Sequence, residues 1–321
     1  MRLVVLGTGP FAVPMFQSLI DSRHLVSALI TRPVPPSKSR DKQPANPMRQ
    51  LAESRGLPVF GPATINSEEE QRLLRELAPE LLVVCDYGEI LSSDVLSVPA
   101  LGGINLHASL LPKYRGAAPI QWALLNGETE TGVSVIHMTP RLDGGPVLAT
   151  RATSIGPDET HPELELRLAA LGIALVHNAI ERLEHWDRSS PIGTAQDPTQ
   201  ATKAPRLTKE HGAIHWSRSA EQIRNQVRAL KPWPGTYTFW RRPGQEPLRL
   251  VIDDCFVSEV AHQPTPVPGT VIYADGEQLI VATAHGALGV TAIAPAGKRH
   301  MSAAEFLRGY RMREGEVLGA A

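Results

Sequence analysis

The stretch Gly102-Gly103-Ile104-Asn105-Leu106-His107-Ala108-Ser109-Leu110-Leu111-Pro112 passes from a short apolar run into a loop with polar side chains and a proline. A short apolar run that ends in such a loop is typical of a buried strand in a parallel sheet. In open α/β proteins, ligands bind beyond the carboxyl ends of these strands. The stretch therefore predicts an α/β fold and a functional site at the end of this strand.

The chain around this stretch alternates apolar runs with helical patterns. We predict strands at 3–6, 26–30, 81–85, 103–106 and 133–138, and helices at 11–21, 48–55, 67–78, 119–126 and 161–186. This alternation predicts a doubly wound, mostly parallel sheet.

A second, smaller domain is predicted after a polar segment. Residues 189–206 contain Pro191, Pro198 and Pro205 and show no periodicity, so we interpret them as a linker between a catalytic domain at 1–188 and a domain at 207–315. In the second domain we predict one helix at 219–230 and short strands at 236–240, 248–256, 271–273, 279–282 and 288–292. Closely spaced short strands predict a small β-barrel, with the oligonucleotide-binding type as one option.

Composition narrows the class of protein. The 321 residues carry a net charge of −1 and only two cysteines, Cys85 and Cys255, which favours reduced thiols. No apolar run approaches the ~20 residues that span a bilayer, and the N-terminus shows no signal-peptide pattern, so we expect a cytoplasmic protein without membrane contact. From Arg206 to Arg313 there are 14 basic and 9 acidic residues, which indicates a polyanionic partner or a chance distribution of surface charge.

Three side chains are the predicted catalytic residues. Asn105 and His107 stand two residues apart, so in an extended segment both point to the same side. Asp143 follows in the glycine-rich turn Leu142–Gly145. A histidine that moves protons, an amide that donates to a developing oxyanion and an acid beside the histidine suit transfer of an activated carbonyl group. Alone, Asp143 would more often cap a turn. The other histidines lack metal-ligand spacing, so we predict no metal site.

The turn Gly7-Thr8-Gly9-Pro10-Phe11-Ala12 matches the dinucleotide pattern G-x-G-x-x-G/A. Pro10 removes an N–H where a pyrophosphate needs donors, and no acid ends the second strand to hold a ribose. We therefore favour a tight turn near the substrate, with an NADP site that uses Arg32 as the alternative.

Two further segments suit ligands. The loop Ser109–Pro112 could form one wall of a pocket for a flat aromatic ligand, or simply a buried turn. The long segment from Thr31 to Pro47 carries Lys38, Arg40 and Lys42, and the C-terminal half carries Lys298 and Arg299 near a predicted loop. Basic loops suit phosphate backbones, although solvated surface charge explains them as well.

With these motifs, the chain resembles the methionyl-tRNA formyltransferase family over nearly its whole length. The resemblance rests on the opening strand and turn through Ala12, on 83–91, on 105–121, on Leu142–Gly145, and on C-terminal motifs at 207–216, 228–234, 268–270 and 295–298. Gly144 stands where the family has threonine, and Cys85-Asp86 replaces a more usual apolar pair.

The resemblance implies formyl transfer from 10-formyltetrahydrofolate to the amino group of initiator methionyl-tRNA, with no metal. It implies catalysis by Asn105, His107 and Asp143, and folate contacts from Tyr87, Gly88, Ser109, Leu110, Leu111 and Pro112. It also implies tRNA contacts from Lys38, Arg40, Lys42, Lys209, Lys298 and Arg299, and we expect a monomer.

Other enzymes that use the same folate share the first-domain residues. A formyltransferase for an amino sugar or another amine is therefore the alternative enzyme, and a folate- or RNA-binding protein without turnover is the alternative outside enzymes.

Overall fold

The computed structural model describes residues 1–33, 46–242, 244–260 and 266–319. The predicted tRNA contacts Lys38, Arg40 and Lys42 lie outside these residues. Contacts divide the chain into two compact units, one formed by Met1–Pro119, Glu130–Ile155 and Leu164–Pro205, the other by Ile120–Thr129, Gly156–Glu163 and Arg206–Ala321. The domain limits 1–188 and 207–315 stay a prediction.

The first half of the chain forms the predicted α/β elements. Its strands are β1 Arg2–Gly7, β2 Leu25–Ile30, β3 Val59–Phe60, β4 Leu81–Cys85, β5 Gly103–His107, β6 Arg115–Gly116, β7 Glu130–His137 and β8 Val147–Ser154. Its helices are α1 Val13–Ile20, α2 Pro47–Ser54, α3 Glu68–Leu77, α4 Ser93–Ser97, α5 Pro119–Leu125 and α6 His161–Glu184. A short 3-10 helix, Pro10–Ala12, precedes α1, so the α-helix begins two residues later than we predicted.

Seven of these strands build one sheet, in the order β3-β2-β1-β4-β5-β7-β8. The pairs from β3 to β5 are parallel, whereas β5 with β7 and β7 with β8 are antiparallel. The side chains of β1 and β4 are almost wholly buried because the apolar runs face covered sides of the sheet. The mostly parallel sheet is confirmed, and the antiparallel strand β8 was missed.

The predicted linker runs along the first unit. Within it, β9 (Lys203–Ala204) pairs in parallel with β6, so Arg115 lies beside Lys203. A 3-10 helix, Pro198–Gln200, precedes this pair, and the Asp197 side chain caps it by accepting from the Thr199 N–H. Thr194 pairs with Val147 of β8, and the Thr202 carbonyl accepts from the Arg115 N–H, so hydrogen bonds hold this segment at both ends.

The C-terminal part forms a curled antiparallel sheet, which is consistent with the predicted oligonucleotide-binding type of barrel. Its elements are α7 Ala220–Ala229, β10 Thr236–Trp240, β11 Leu248–Ser258, β12 Val271–Asp275, β13 Gln278–Ala282, β14 Ala287–Pro295, β15 Met301–Ser302, α8 Ala303–Tyr310 and β16 Leu318–Gly319. The sheet path is β12-β13-β14-β11-β10-β16, and a bridge between Thr270 and Val317 joins its two ends. The core inside this sheet includes Trp240, Phe306 and Ile223.

Within the described ranges, no helix combines the length and the apolar character that crossing a bilayer requires.

Candidate functional site

Strand β5 carries the two polar side chains at the middle of the sheet. It lies between β4 and β7, with Asn105 opposite both Val84 and Ile136. The strand ends at His107, whose residue surface is 6% exposed. Asn105 is partly exposed, and within the described residues its side chain has no protein hydrogen-bond partner. An exposed amide at the carboxyl end of a central strand is available to a ligand.

The imidazole of His107 is oriented by the loop that follows it. Its Nε2 atom lies 2.9 Å from the Tyr114 carbonyl oxygen. A carbonyl oxygen only accepts, so Nε2 must carry a proton, which leaves Nδ1 as the ring nitrogen that can exchange a proton with a ligand. Nδ1 lies 3.8 Å from Oδ1 of Asp143. The structure thus brings together the histidine and the acid that the sequence predicted as partners.

Asp143 occupies a sharp turn that needs glycine beside it. Its φ of 47° is left-handed, and its Oδ2 accepts a hydrogen bond of 2.8 Å from the Gly116 N–H. A Cβ at Gly145 would lie 1.8 Å from the His137 carbonyl oxygen, so only glycine fits there. Gly145 is therefore structural, while the carboxylate of Asp143, whose side chain is 10% exposed, faces His107.

The predicted folate loop is pinned by two buried hydroxyls. Ser109 Oγ donates to the Lys113 carbonyl at 2.6 Å, and the Ser109 carbonyl accepts from Ser134 Oγ at 2.7 Å. Ser134 Oγ also accepts from the Leu111 N–H at 3.1 Å. The Ser109 hydroxyl is thus used inside the loop, whereas Leu110, Leu111 and Pro112 remain partly exposed. The sequence analysis missed Ser134, which is fully buried. Its signal in the sequence is a serine inside the apolar run of β7.

Tyr87 and Gly88 follow strand β4. Tyr87 is 3% exposed and packs in the core with Leu91 and Val95, and burial raises the pKa of its phenol. Gly88 is exposed and has a φ of 81°. Only Gly88 of this pair therefore presents much surface to a ligand.

Asp86, beside Tyr87, belongs to the pair Cys85-Asp86 that stands where the family more usually has two apolar residues. Burial among its surroundings raises the pKa of Asp86 to about 6, and a hydrogen bond from the Gly9 backbone acts in the opposite direction. The pKa of Glu165 on α6 is raised to about 7 by burial and by the charge of Asp86. A Cβ at Gly9 would lie 1.7 Å from Oδ2 of Asp86, so a larger residue in the opening turn would displace the Asp86 carboxylate.

The alternative NADP site would need the Arg32 guanidinium to be available for a phosphate. Arg32 Nη1 lies 3.2 Å from Glu89 Oε2, so a carboxylate already balances the Arg32 charge. Thr8 Oγ1 accepts from the Thr31 hydroxyl at 3.3 Å, which ties the opening turn to the end of β2. These contacts favour the tight turn over an NADP site.

Three predicted tRNA contacts of the C-terminal part lie among the described residues, and all three are exposed: Lys209, Lys298 and Arg299. Lys209 begins a 3-10 helix, Lys209–Gly212. Lys298 and Arg299 follow β14, and Arg299 Nη2 lies 2.8 Å from Glu305 Oε1. No group of three or more metal-ligating side chains is gathered in the described part of the chain.

Family models match both parts of the chain. Residues 1–180 match the formyl transferase domain, and residues 206–311 match the formyl transferase C-terminal domain. A methionyl-tRNA formyltransferase of Rhodopirellula baltica is 46% identical over 99% of this chain and 96% of its own length. That of Desulforamulus reducens is 41% identical over 99% of this chain and 98% of its own.

The chain belongs to the methionyl-tRNA formyltransferase family. The predicted family and enzyme class are thereby confirmed, because close relatives at full length carry this name and both domains match formyl transferase models.

Solved structures show the same fold at low identity. HypX from Aquifex aeolicus, in complex with tetrahydrofolic acid, superposes with a TM-score of 0.61 at 18% identity, covering 96% of this chain and 47% of HypX. The N-formyltransferase from Helicobacter canadensis, with folinic acid and dTDP-3-aminofucose, gives a TM-score of 0.63 at 17% identity, covering 90% of this chain and 98% of that one. At these identities the likeness to both structures supports the formyltransferase fold alone.

Proposed function

We propose that this member of the methionyl-tRNA formyltransferase family transfers the formyl group of 10-formyltetrahydrofolate to the amino group of initiator methionyl-tRNA. The observation that carries the proposal is full-length similarity to enzymes of that name, at 46% identity over 99% of the chain. The arrangement of Asn105, His107 and Asp143 at the end of β5 supports it. Initiator methionyl-tRNA exists where translation begins, so the proposal implies a cytoplasmic enzyme, and we expect it to act as a monomer.

The folate would lie against the loop after β5. Leu110, Leu111 and Pro112 present partly exposed apolar surface in the loop that follows His107. Gly88 offers exposed backbone just after β4, the strand that pairs with β5. Such surface fits a flat ring, and the pinned backbone keeps the wall in place before the ligand arrives. Ser109 contributes by holding this wall through its buried hydroxyl, and Tyr87 packs in the core beside Gly88.

Asn105 would stabilise the charge that develops on the formyl oxygen. When the methionyl amine adds to the formyl carbon, electrons move onto that oxygen. The Asn105 Nδ2 group has no protein partner among the described residues, so it is free to donate to the new charge. The loss of one such donor typically costs about 10²–10³ in rate.

His107 and Asp143 would handle the proton. The amine loses a proton as its bond to carbon forms, and the folate N10 gains one as its bond to carbon breaks. Because Nε2 of His107 donates to Tyr114, proton transfer must pass through Nδ1, on the side of Asp143. The protonated ring also adds a positive charge near the oxyanion, beside the neutral amide donor of Asn105. No covalent intermediate with the protein is needed.

The exposed cations would hold the tRNA. Lys209, Lys298 and Arg299 supply positive charge at exposed positions of the C-terminal part. The sequence adds Lys38, Arg40 and Lys42, which lie outside the described residues. Phosphate contacts of this kind release counterions, so affinity for tRNA should fall steeply with salt.

Formylation with competing acceptors tests the proposal. The protein is supplied with 10-formyltetrahydrofolate and, in parallel, initiator methionyl-tRNA, elongator methionyl-tRNA, glycinamide ribonucleotide and a dTDP-linked amino sugar. Formylation confined to the initiator supports the proposal. Formylation of the amino sugar instead would favour the alternative enzyme, and folate binding without any product would favour a binding protein.

A further inference from the structure

The carboxamide of Gln196 uses both of its ends beside Asp143. Its Nε2 group donates to the Asp143 carbonyl at 2.8 Å and to the Gly145 carbonyl at 2.7 Å. Its Oε1 atom accepts from Arg115, at 3.1 Å from Nε and 2.7 Å from Nη2. Gln196 therefore joins the turn of Asp143 to the loop that follows the catalytic strand.

These bonds hold a backbone shape that an aspartate does not adopt readily. A residue with a Cβ at a φ of 47° is uncommon, and the conformation costs on the order of 1 kcal/mol unless its surroundings fix it. The two carbonyls that Gln196 holds lie on either side of Gly144 and so clamp the turn from both ends. With the turn clamped, the Asp143 carboxylate is directed at the Gly116 N–H and at His107.

The same chain segment also reaches the other side of the catalytic pair. Thr202 Oγ1 accepts from the Tyr114 N–H at 2.8 Å, and the Tyr114 carbonyl in turn holds Nε2 of His107. A Cβ at Gly116 would lie 2.3 Å from the Ala204 carbonyl oxygen, so β6 and β9 fit closely. Gln196 thus holds the turn of Asp143, while Thr202 and Ala204 hold the loop of His107.

We propose that Gln196 is a positioning residue for formyl transfer, which acts by setting the Asp143 carboxylate relative to His107. The inference rests on the proposed function and deepens it. Its chemistry is simple, since an amide can donate twice to the turn and accept from Arg115 at the same time. Neither alanine nor an ionised glutamate can replace those two donations.

Two substitutions separate the donating and the accepting ends. Gln196→Ala removes every bond, whereas Gln196→Glu keeps an acceptor for Arg115 and loses both donations to the turn. Both should lower kcat by roughly 10- to 100-fold, because small misplacements of a catalytic group cost that much. The KM for 10-formyltetrahydrofolate should stay within about twofold, since Gln196 contacts the backbone of the Asp143 turn and not the proposed folate wall. The control Gln200→Ala changes an exposed glutamine four residues later and should leave kcat unchanged.

The decisive experiment is a double-mutant cycle in the full-length protein, with kcat measured by formylation of initiator methionyl-tRNA. If Gln196 acts through Asp143, Gln196→Ala should cost less than about twofold in an Asp143→Asn background. An equal loss in both backgrounds, or no loss in the wild-type background, overturns the inference while the formylation by wild type still stands. Normal turnover of Asp143→Asn alone overturns it too and removes Asp143 from the proposed mechanism. Absence of formylation by the wild type would instead contradict the proposed function.

Discussion

Nδ1 of His107 lies 3.8 Å from Oδ1 of Asp143, just beyond hydrogen-bond distance. The ring cannot close the gap freely, because the Tyr114 carbonyl holds its other nitrogen at 2.9 Å. A separation of this size leaves the acid and the imidazole close enough to share a proton through a water or a substrate amine. The catalytic pair is thus set by backbone contacts on both sides.

Ser134→Ala should destabilise the fold by about 1–3 kcal/mol, because it leaves one buried and one part-buried backbone group without their partner. These groups are the Leu111 N–H and the Ser109 carbonyl, which the Ser134 hydroxyl bonds at 3.1 and 2.7 Å. Urea unfolding measures the loss. The control Ser97→Ala removes an exposed hydroxyl that bonds the Asp94 carbonyl, and it should cost less than about 0.5 kcal/mol. Equal losses in both variants would show that the predicted folate loop does not depend on Ser134.

Asp86→Asn should stabilise the protein more at pH 8 than at pH 5. Burial raises the pKa of Asp86 from 3.8 to about 6, so the folded state binds its proton more tightly than the unfolded chain does. The stability that the protonated acid provides is lost as pH rises through about 6. Asparagine carries no charge to bury and avoids this loss. The residue is exposed at the surface although the atoms packed around its carboxyl desolvate it, so solvent screening reduces the effect and we expect a gain on the order of 1 kcal/mol.

Thermal unfolding at the two pH values measures this difference. A change in Tm that is the same at pH 5 and pH 8 would contradict the role assigned to the Asp86 charge.

Lys298→Ala should weaken tRNA binding more than Arg299→Ala. Arg299 is already paired with Glu305 at 2.8 Å, whereas Lys298 makes no ion pair with any described residue. If Lys298 contacts one phosphate, its removal should reduce the slope of log affinity against log salt by about one. Binding titrations from low to moderate salt give both slopes. Identical slopes for Lys298→Ala and wild type would place Lys298 outside the tRNA contact.

Sequence patterns predicted the elements that are strongly apolar or strongly periodic. Strand β4 was predicted within its observed bounds, Leu81–Cys85, because every residue of its apolar run is buried. Strand β8 (Val147–Ser154) lies at the edge of the sheet with most of its residues exposed or half-exposed, so it lacks an apolar run. Its partner β7 stabilises it, which a local pattern does not reveal.

In the candidate site, too, the residues with a local sequence pattern could be predicted and those held by long-range contacts could not. Asn105 and His107 could be predicted because they share one strand and a spacing of two. Gln196 could not, since its partners Asp143 and Arg115 are 53 and 81 residues away and its own segment has the composition of a linker. Residues that act by long-range hydrogen bonds to backbone carbonyls carry no local signal.

The central claim is that Asn105 and Asp143 serve the formyl-transfer step itself. Its most direct test is the rate of N-formylmethionyl-tRNA formation by Asn105→Ala and Asp143→Asn at saturating concentrations of both substrates, with folate binding measured separately by calorimetry. The account predicts rates about 10²–10³-fold below wild type, with folate affinity nearly unchanged. Near-normal rates in both variants would contradict it.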